Sequence, residues 1–313
     1  MSGRTAMDPF DKDPGVAWGV AEEVAPGVRR VTARNPSAFT FTGTRSYLLG
    51  RGAVALIDPG PDDGDHVAAI MSALGPGERI ARVLVTHSHR DHTGAVPAIA
   101  AATGADVIGF GPHGSGMSET MRRLAASGAA LGGGEGGDPD FVPDRCLSDG
   151  EAVEGDDWRL VALHTPGHLS NHLSFALEGT GIVFTGDTVM GFATTLVSPP
   201  EGDMAAFMAS LERLAGRDDR LYLPGHGHPV RDPAAMLAWQ IAHRRQRFGQ
   251  IMDALRDGPA DAATLARRIY TEVDPGLLPA AARNVLASLI GLADQGEVRP
   301  HGPIAAEAVF ELA

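Results

Sequence analysis

The chain has 313 residues, 43% hydrophobic and 21% charged, enough to bury a sizeable core in one large domain with an appendage or in two ordinary domains. Its formal charge of −13 disfavours nucleic acid as a partner, because an acidic chain repels phosphates unless its basic residues are segregated, and Lys12 is the only lysine. A single cysteine, Cys146, excludes an internal disulfide framework and a cysteine-rich zinc module, and is expected to be a small buried hydrophobe. No stretch approaches the roughly 18 apolar residues of a membrane span, and residues 1–20 lack the apolar core of a secretory signal. The expectation is a cytoplasmic protein with no membrane association.

Along the chain, residues 1–20 read as an arm or a packed strap. From Val28 onward, short apolar runs of strand length are separated by Gly, Pro and Asp clusters, most clearly at 53–57, 82–85, 158–163, 173–177, 182–184 and 221–223. Helical spacing of apolar residues falls between them, at 64–74, 94–102, 115–127 and 204–215. Glu178-Gly179-Thr180-Gly181 joins two of the strands as a hairpin, so a mixed α/β sandwich is expected and not a purely parallel sheet. Residues 128–140, with their glycine run, read as a loop.

Composition shifts near residue 240, which divides the chain into a domain of residues 1–240 and a helical module of 241–313. Helices are expected in the module at 245–257, 261–270 and 279–295. Asp261 with Thr264 is the start signal of the second, Gly296 is the stop of the third, and 297–302 is a candidate wing. This pattern resembles a winged helix, a fold used on nucleic acid. Between Arg244 and His301, however, eight Arg face seven Asp and Glu, and only Arg283 and Asn284 offer polar readers on the third helix. A packing or dimerisation lid, and with it a possible homodimer, is the favoured reading.

The chemistry concentrates in Val83-Leu84-Val85-Thr86-His87-Ser88-His89-Arg90-Asp91-His92, where a buried strand runs into three histidines and an aspartate. Imidazole and carboxylate are the ligands zinc takes when no thiolate is offered. His168, Asp187 and His226 repeat the placement, each following an apolar run and each directly preceded by Gly. Strand C-terminal ends are where open α/β sheets bind ligands, and Gly allows the sharp turn required there. Of the other histidines, His66 is expected to be solvated, and His113 and His301 to be uninvolved. His164, His172, His228 and His243 are candidates for supporting the ligands.

The pattern His-x-His-x-Asp-His followed by a distant His, Asp and His resembles the metallo-β-lactamase superfamily over roughly residues 28–230. The resemblance implies an αββα sandwich with a two-metal site between the sheets. It implies that His87, His89 and His168 hold the first metal, that Asp91, His92 and His226 hold the second, and that Asp187 bridges them. Asp58, in Leu56-Ile57-Asp58-Pro59-Gly60, matches a supporting aspartate that is not a ligand. A narrower likeness, to the β-lactamase-like protein 2 subfamily, rests on Asn35 to Thr40, Gly43 to Gly50, Gly191 to Thr195, His243-Arg244 to Ile251 and the helical C-terminal module. Arg45 departs from it where Asn is expected, and an insertion around 113–140 is expected to reshape the pocket mouth.

The implied cofactor is two divalent metal ions, with zinc expected and iron or manganese as alternatives. Two such ions share a hydroxide at neutral pH and polarise the substrate oxygen, and Asp91 is the candidate for orienting that hydroxide or relaying its proton. The expected function is hydrolysis of an ester, thioester or lactone-like small molecule. β-Lactam antibiotics are poor candidates, since an export signal is lacking and Asp occupies the bridging position. The subfamily likeness implies a single-stranded endoribonuclease as the alternative, with RNA as a less favoured partner. A third reading is a nucleic-acid-binding regulator with a structural metal site.

Overall fold

A computed structural model describes residues 8–133 and 136–313. Gly134 and Glu135, within the expected 128–140 loop, and residues 1–7 of the arm lie outside the described residues.

The first half opens with β1 (Glu22–Ala25), β2 (Val28–Thr32), β3 (Arg45–Leu49) and β4 (Ala53–Ile57), an antiparallel meander. After α1 (Gly64–Ser72), β5 (Arg79–Leu84) adds parallel to β4. The short α2 (Arg90–Thr93) and α3 (Val96–Thr103) lead to β6 (Asp106–Gly109), and α4 (Glu119–Ala126) precedes the two-residue β7 (Arg145–Cys146), both strands parallel to β5. Together these form a seven-stranded sheet in sequential order. The second sheet is antiparallel through β8 (Ala152–Glu154), β9 (Arg159–His164), β10 (Leu173–Leu177) and β11 (Ile182–Gly186). The expected hairpin turn joins β10 to β11, with Leu177 opposite Ile182. Then α5 (Met204–Ala215) crosses over and β12 (Leu221–Pro224) adds parallel to β11.

Alternation sorts the side chains into layers. Tyr47, Ile57, Leu84 and Ile108 from the first sheet meet Leu160, Phe175, Phe184 and Leu223 from the second in one buried inter-sheet core. On the outer face of the first sheet Leu48, Leu56 and Val83 pack with Ile70 of α1 and Ile99 of α3. The outer face of the second presents Val183 and Tyr222 to Phe207, Leu211 and Leu214 of α5. The result is an αββα sandwich.

The third part begins with α6 (Pro233–Arg256), followed by β13 (Ala260–Asp261), α7 (Ala262–Ile269), α8 (Leu278–Asp294), β14 (Val298–Pro300) and β15 (Val309–Leu312). The Asp261 side chain accepts from the Thr264 N–H and caps α7, and β13, β15 and β14 form the wing. The composition change near residue 240 lies inside α6. Met236 and Leu237 of that helix pack into the α5 layer, while Ile251 and Leu255 pack into the module. One stretch, Pro275–Asp294, is after all long and apolar enough to pass for a membrane span, with a mean hydropathy of 1.4. It is apolar because α8 is buried on two sides: Val285, Leu286 and Leu289 face the module core, and Ala287 faces the α5 layer.

Two expectations are corrected. Cys146 is exposed, because β7 is the edge strand of its sheet. His66 is only 3% exposed: it lies in the first turn of α1 facing the sheet and shares a 2.9 Å hydrogen bond with Ser46 Oγ. The described part of the arm is largely exposed but is tied down at two points, with Phe10 edge-on against Trp239 and His228 Nε2 donating to the Asp13 carbonyl, in line with the strap reading.

Candidate metal centre

Four strand ends on one rim of the sandwich deliver the seven donor residues. β5 ends at Leu84 and leads into His87, His89, Asp91 and His92. β9 leads to His168, β11 to Asp187 and β12 to His226. One donor atom each from His87, His89, His168 and Asp187 gather within 4.8 Å of one another, and so do those of Asp91, His92 and His226. All seven residues singled out in the sequence therefore converge.

The spacing matches the edges of a coordination shell. His89 Nδ1 lies 3.0 Å from both His87 Nε2 and His168 Nε2, and His226 Nε2 lies 3.2 Å from Asp91 Oδ2 and 3.3 Å from Asp187 Oδ2. Zinc–nitrogen bonds of about 2.0–2.1 Å in tetrahedral geometry place ligand atoms about 3.4 Å apart. Asp187 faces both groups, with His168 Nε2 3.6 Å from its Oδ2 and His92 Nε2 3.6 Å from its Oδ1. That Oδ1 is buried with no hydrogen-bond partner, a costly state for a carboxylate oxygen that a cation would relieve.

The ring nitrogens that point away from the cluster are held from behind. His168 Nδ1–H donates to the Leu196 carbonyl at 2.8 Å, and His92 Nδ1–H donates to Asp58 Oδ2 at 2.9 Å. His87 Nδ1–H donates to Thr86 Oγ1, which itself donates to Asp58 Oδ2. Asp58 thus orients one histidine of each group, and its Oδ1 also accepts from the Thr86 N–H at 2.7 Å. These bonds hold its backbone at φ +52, a conformation costly for a residue with a side chain. Such partners fix ring orientation and leave the inward nitrogen free to ligate.

Electrostatics favour a cation at this place. Burial, together with the imidazoles of His92 and His89, pushes His87 well below its ordinary pKa, and burial with His168 takes His89 down to about 3, so both are neutral. Against the opposing effect of burial, Asp91 and Asp187 raise His92 to about 9 and His226 to about 10. The carboxylates call for positive charge between them, which a divalent ion supplies more fully than protons do. The donor set fits two divalent ions.

Glycine makes the crowding possible. A Cβ at Gly225 would lie 2.4 Å from Asp187 Oδ1 and 2.7 Å from His92 Cε1. Gly186, at φ +47, leaves no room for a side chain between itself and His172.

Of the four candidate supporting histidines, only His172 touches the ligands' frame. Its ring stacks on His87, and its Nε2 accepts from the Asp187 N–H at 3.0 Å. His164 stacks on Phe110, His243 on Trp239, and His228 holds the arm. His113, expected to be uninvolved, bonds Ser88 Oγ at 2.8 Å and Glu201 at 2.9 Å, tying the inserted segment to the peptide between His87 and His89. Thr44 was not legible as functional: its Oγ1 donates to Asp91 Oδ2 at 2.9 Å and is itself held by Asn35. Arg45 is fully buried. Its backbone N–H donates to the Gly225 carbonyl and its Nε to the Gly227 carbonyl, bracing the turn that carries His226.

A cavity of about 490 Å³ opens from His89, Asp91, His168, Asp187 and His226. Its walls are largely apolar, with Phe39, Leu169, Met190 and Phe192 from the sandwich and Val273, Leu277, Ala280 and Ala281 from the module. Gly136 of the insertion reaches its mouth, and Arg283 and Asn284, the two polar residues singled out on the third helix, line it as well.

Residues 39–226 match the Metallo-beta-lactamase superfamily, and residues 262–304 match the Beta-lactamase associated winged helix domain. The chain belongs to the metallo-beta-lactamase superfamily and is a hydrolase. It is 30% identical over 285 residues to the Beta-lactamase-like protein 2 homolog of Drosophila melanogaster, covering 87% of this chain and 89% of that one. It is 32% identical over 240 residues to an Atrochrysone carboxyl ACP thioesterase of Aspergillus chevalieri, covering 75% and 68%. Among solved structures, a Beta-lactamase domain protein from Burkholderia ambifaria superposes with a TM-score of 0.78 at 26% identity, covering 95% of this chain and 94% of that one. A metallo-beta-lactamase family protein from Thermus thermophilus shares the fold, with a TM-score of 0.73 at 24% identity over 93% of this chain and all of that one.

Proposed function

We propose that this hydrolase cleaves an apolar acyl thioester or a related small ester or lactone, with His87, His89 and His168 holding one divalent ion, Asp91, His92 and His226 a second, and Asp187 shared between them. Zinc is the proposed metal, and iron or manganese suits the same donors. Bound there, the ions would supply Lewis acidity and a water-derived nucleophile at neutral pH. Asp91 is the most open donor of its group, with its side chain 28% exposed against 0% for His92 and 2% for His226. Thr44 fixes its orientation, so Asp91 is placed to take the proton of the attacking water and pass it to the leaving group.

The observation that carries the substrate class is the cavity wall. Phe39, Leu169, Met190, Phe192, Val273 and Leu277 offer an acyl group an apolar surface beside the donors. Relatives named as acyl-carrier thioesterases support the same class. RNA finds little there to bind. Of the three aromatic residues in 245–313, Phe310 is fully buried, Phe248 packs on the α5 layer and Tyr270, which lines the cavity, lies under Arg247, so the module offers few base-stacking platforms.

The test compares zinc-loaded full-length protein on an aromatic or medium-chain acyl thioester and on a short single-stranded RNA at about 150 mM salt, where phosphate contacts are already weakened. Faster thioester cleavage is expected. Efficient RNA cleavage without thioester turnover would reverse the assignment.

A further inference from the structure

One peptide plane separates the C-terminal module from the metal centre. The Leu196 carbonyl accepts from His168 Nδ1–H at 2.8 Å, and the N–H of the same peptide group, on Val197, donates to Asn284 Oδ1 at 3.0 Å. Because a peptide unit is rigid and planar, fixing its N–H end fixes the direction of its carbonyl. Asn284 belongs to α8 and lies 87 residues further along the chain than Val197.

A second contact runs in parallel. The Thr195 hydroxyl donates to the Asp187 carbonyl at 2.6 Å, and the Thr195 carbonyl accepts from Arg244 of α6. Arg244 is buried, stacks over Phe207, and its second terminal nitrogen donates to Asn284 Oδ1 at 3.2 Å. A buried guanidinium with carbonyl and amide partners is a rigid strut, and its removal takes that donor away from the buried Thr195 carbonyl.

We infer that Asn284 and Arg244 are positioning residues for the metal centre: the module sets the geometry of His168 and Asp187 through the 195–197 segment, in addition to walling the cavity. Within the two-metal reading, on which this rests, module and metal site are energetically coupled. Loss of Asn284 lowers metal affinity as well as altering the pocket. Partners standing directly behind ligands are worth about 10–100-fold in metal affinity, and Asn284, one peptide further out, falls at about the lower figure.

The test measures zinc affinity of the full chain by competition with a chromogenic chelator, for wild type, Asn284→Leu and Asn284→Asp, alongside kcat and KM. Asn284→Asp keeps the acceptor for Val197 and the pairing with Arg244. The expected result is about tenfold weaker zinc binding for Asn284→Leu, a lower kcat at subsaturating zinc, and near wild-type affinity for Asn284→Asp. If the leucine variant does not fold, Asn284→Ala takes its place with the same expectation. Unchanged zinc affinity with a raised KM alone would make Asn284 simply a wall of the pocket and overturn the inference. Wild-type protein that takes up no zinc would instead overturn the two-metal reading itself.

Discussion

The two sides of the cavity are built in contrasting ways. On one side seven donors stand at four strand ends on one rim of the two sheets, where hydrogen bonds behind the ligands orient them and glycines clear the space. On the other side the wall combines Phe39, Leu169, Met190 and Phe192 of the sandwich with residues of the module, where α8 is held by apolar packing against two separate cores. The first side is polar, pre-ordered and intolerant of change. The second is apolar and adjustable, so chemistry and specificity are assigned to different physical devices. Substitutions on the donor side should cost metal and turnover, and substitutions of the wall's apolar residues should cost substrate affinity; Asn284, which lines the wall but holds the peptide behind His168, is the point where the two meet.

The largest effect is expected for Asp187→Ala, which removes the one carboxylate that faces both donor groups. Elemental analysis should find at most one tightly held ion, with kcat/KM falling by roughly 10³-fold, about 4 kcal/mol of transition-state stabilisation. Retention of two ions would break the assignment of Asp187 as the shared group. Asp58→Ala leaves every donor in place but frees His92 and the Thr86–His87 pair. A loss of about 10–100-fold in metal affinity is expected, and titration against a chelator measures it.

On the wall the expectation is milder and of a different kind. Phe39 is 49% exposed at the cavity mouth, so Phe39→Ala should raise KM for an apolar thioester by about fivefold, near 1 kcal/mol, with kcat and metal content unchanged. A fall in metal content would show that the two sides are not separable at this point.

His66, which is neither a donor nor part of the cavity wall, provides a control of a different kind. Burial lowers its pKa to about 4. A histidine whose folded pKa lies below its unfolded value of about 6.5 contributes stability above the unfolded pKa, and that contribution is lost as pH falls toward 4. Exchange for Gln, which retains a hydrogen-bonding partner for Ser46, should flatten the acid limb of the stability profile by an amount on the order of 3 kcal/mol. Turnover at neutral pH should not change. A profile with the same acid limb would remove His66 from the account of acid stability.

The contrast between the two sides also explains what the sequence disclosed. The donors were legible because a strand end, a glycine and a ligand residue recur as local patterns at His168, Asp187 and His226, and because His87 to His92 is dense in ligating groups. The strands and the helices of the module were legible from periodicity for the same local reason. His66 and Cys146 were misread because burial is decided by which face of α1 meets the sheet and which strand forms its edge, facts that no short window contains. Thr44, Arg244 and Asn284 lie in stretches the sequence singled out, but their tie to the metal centre was not legible, since each acts on a partner between 40 and 90 positions away along the chain. At residue 240, where the composition changes, α6 runs on without a break and joins the α5 layer to the module core, a continuity that composition does not reveal.

The most direct test of the central claim is anomalous diffraction at the zinc edge from crystals of the zinc-loaded chain. The account predicts two peaks about 3.5–4 Å apart, one among His87, His89 and His168, the other among Asp91, His92 and His226, with the Asp187 carboxylate between them. A single peak, or two peaks elsewhere on the molecule, would contradict it.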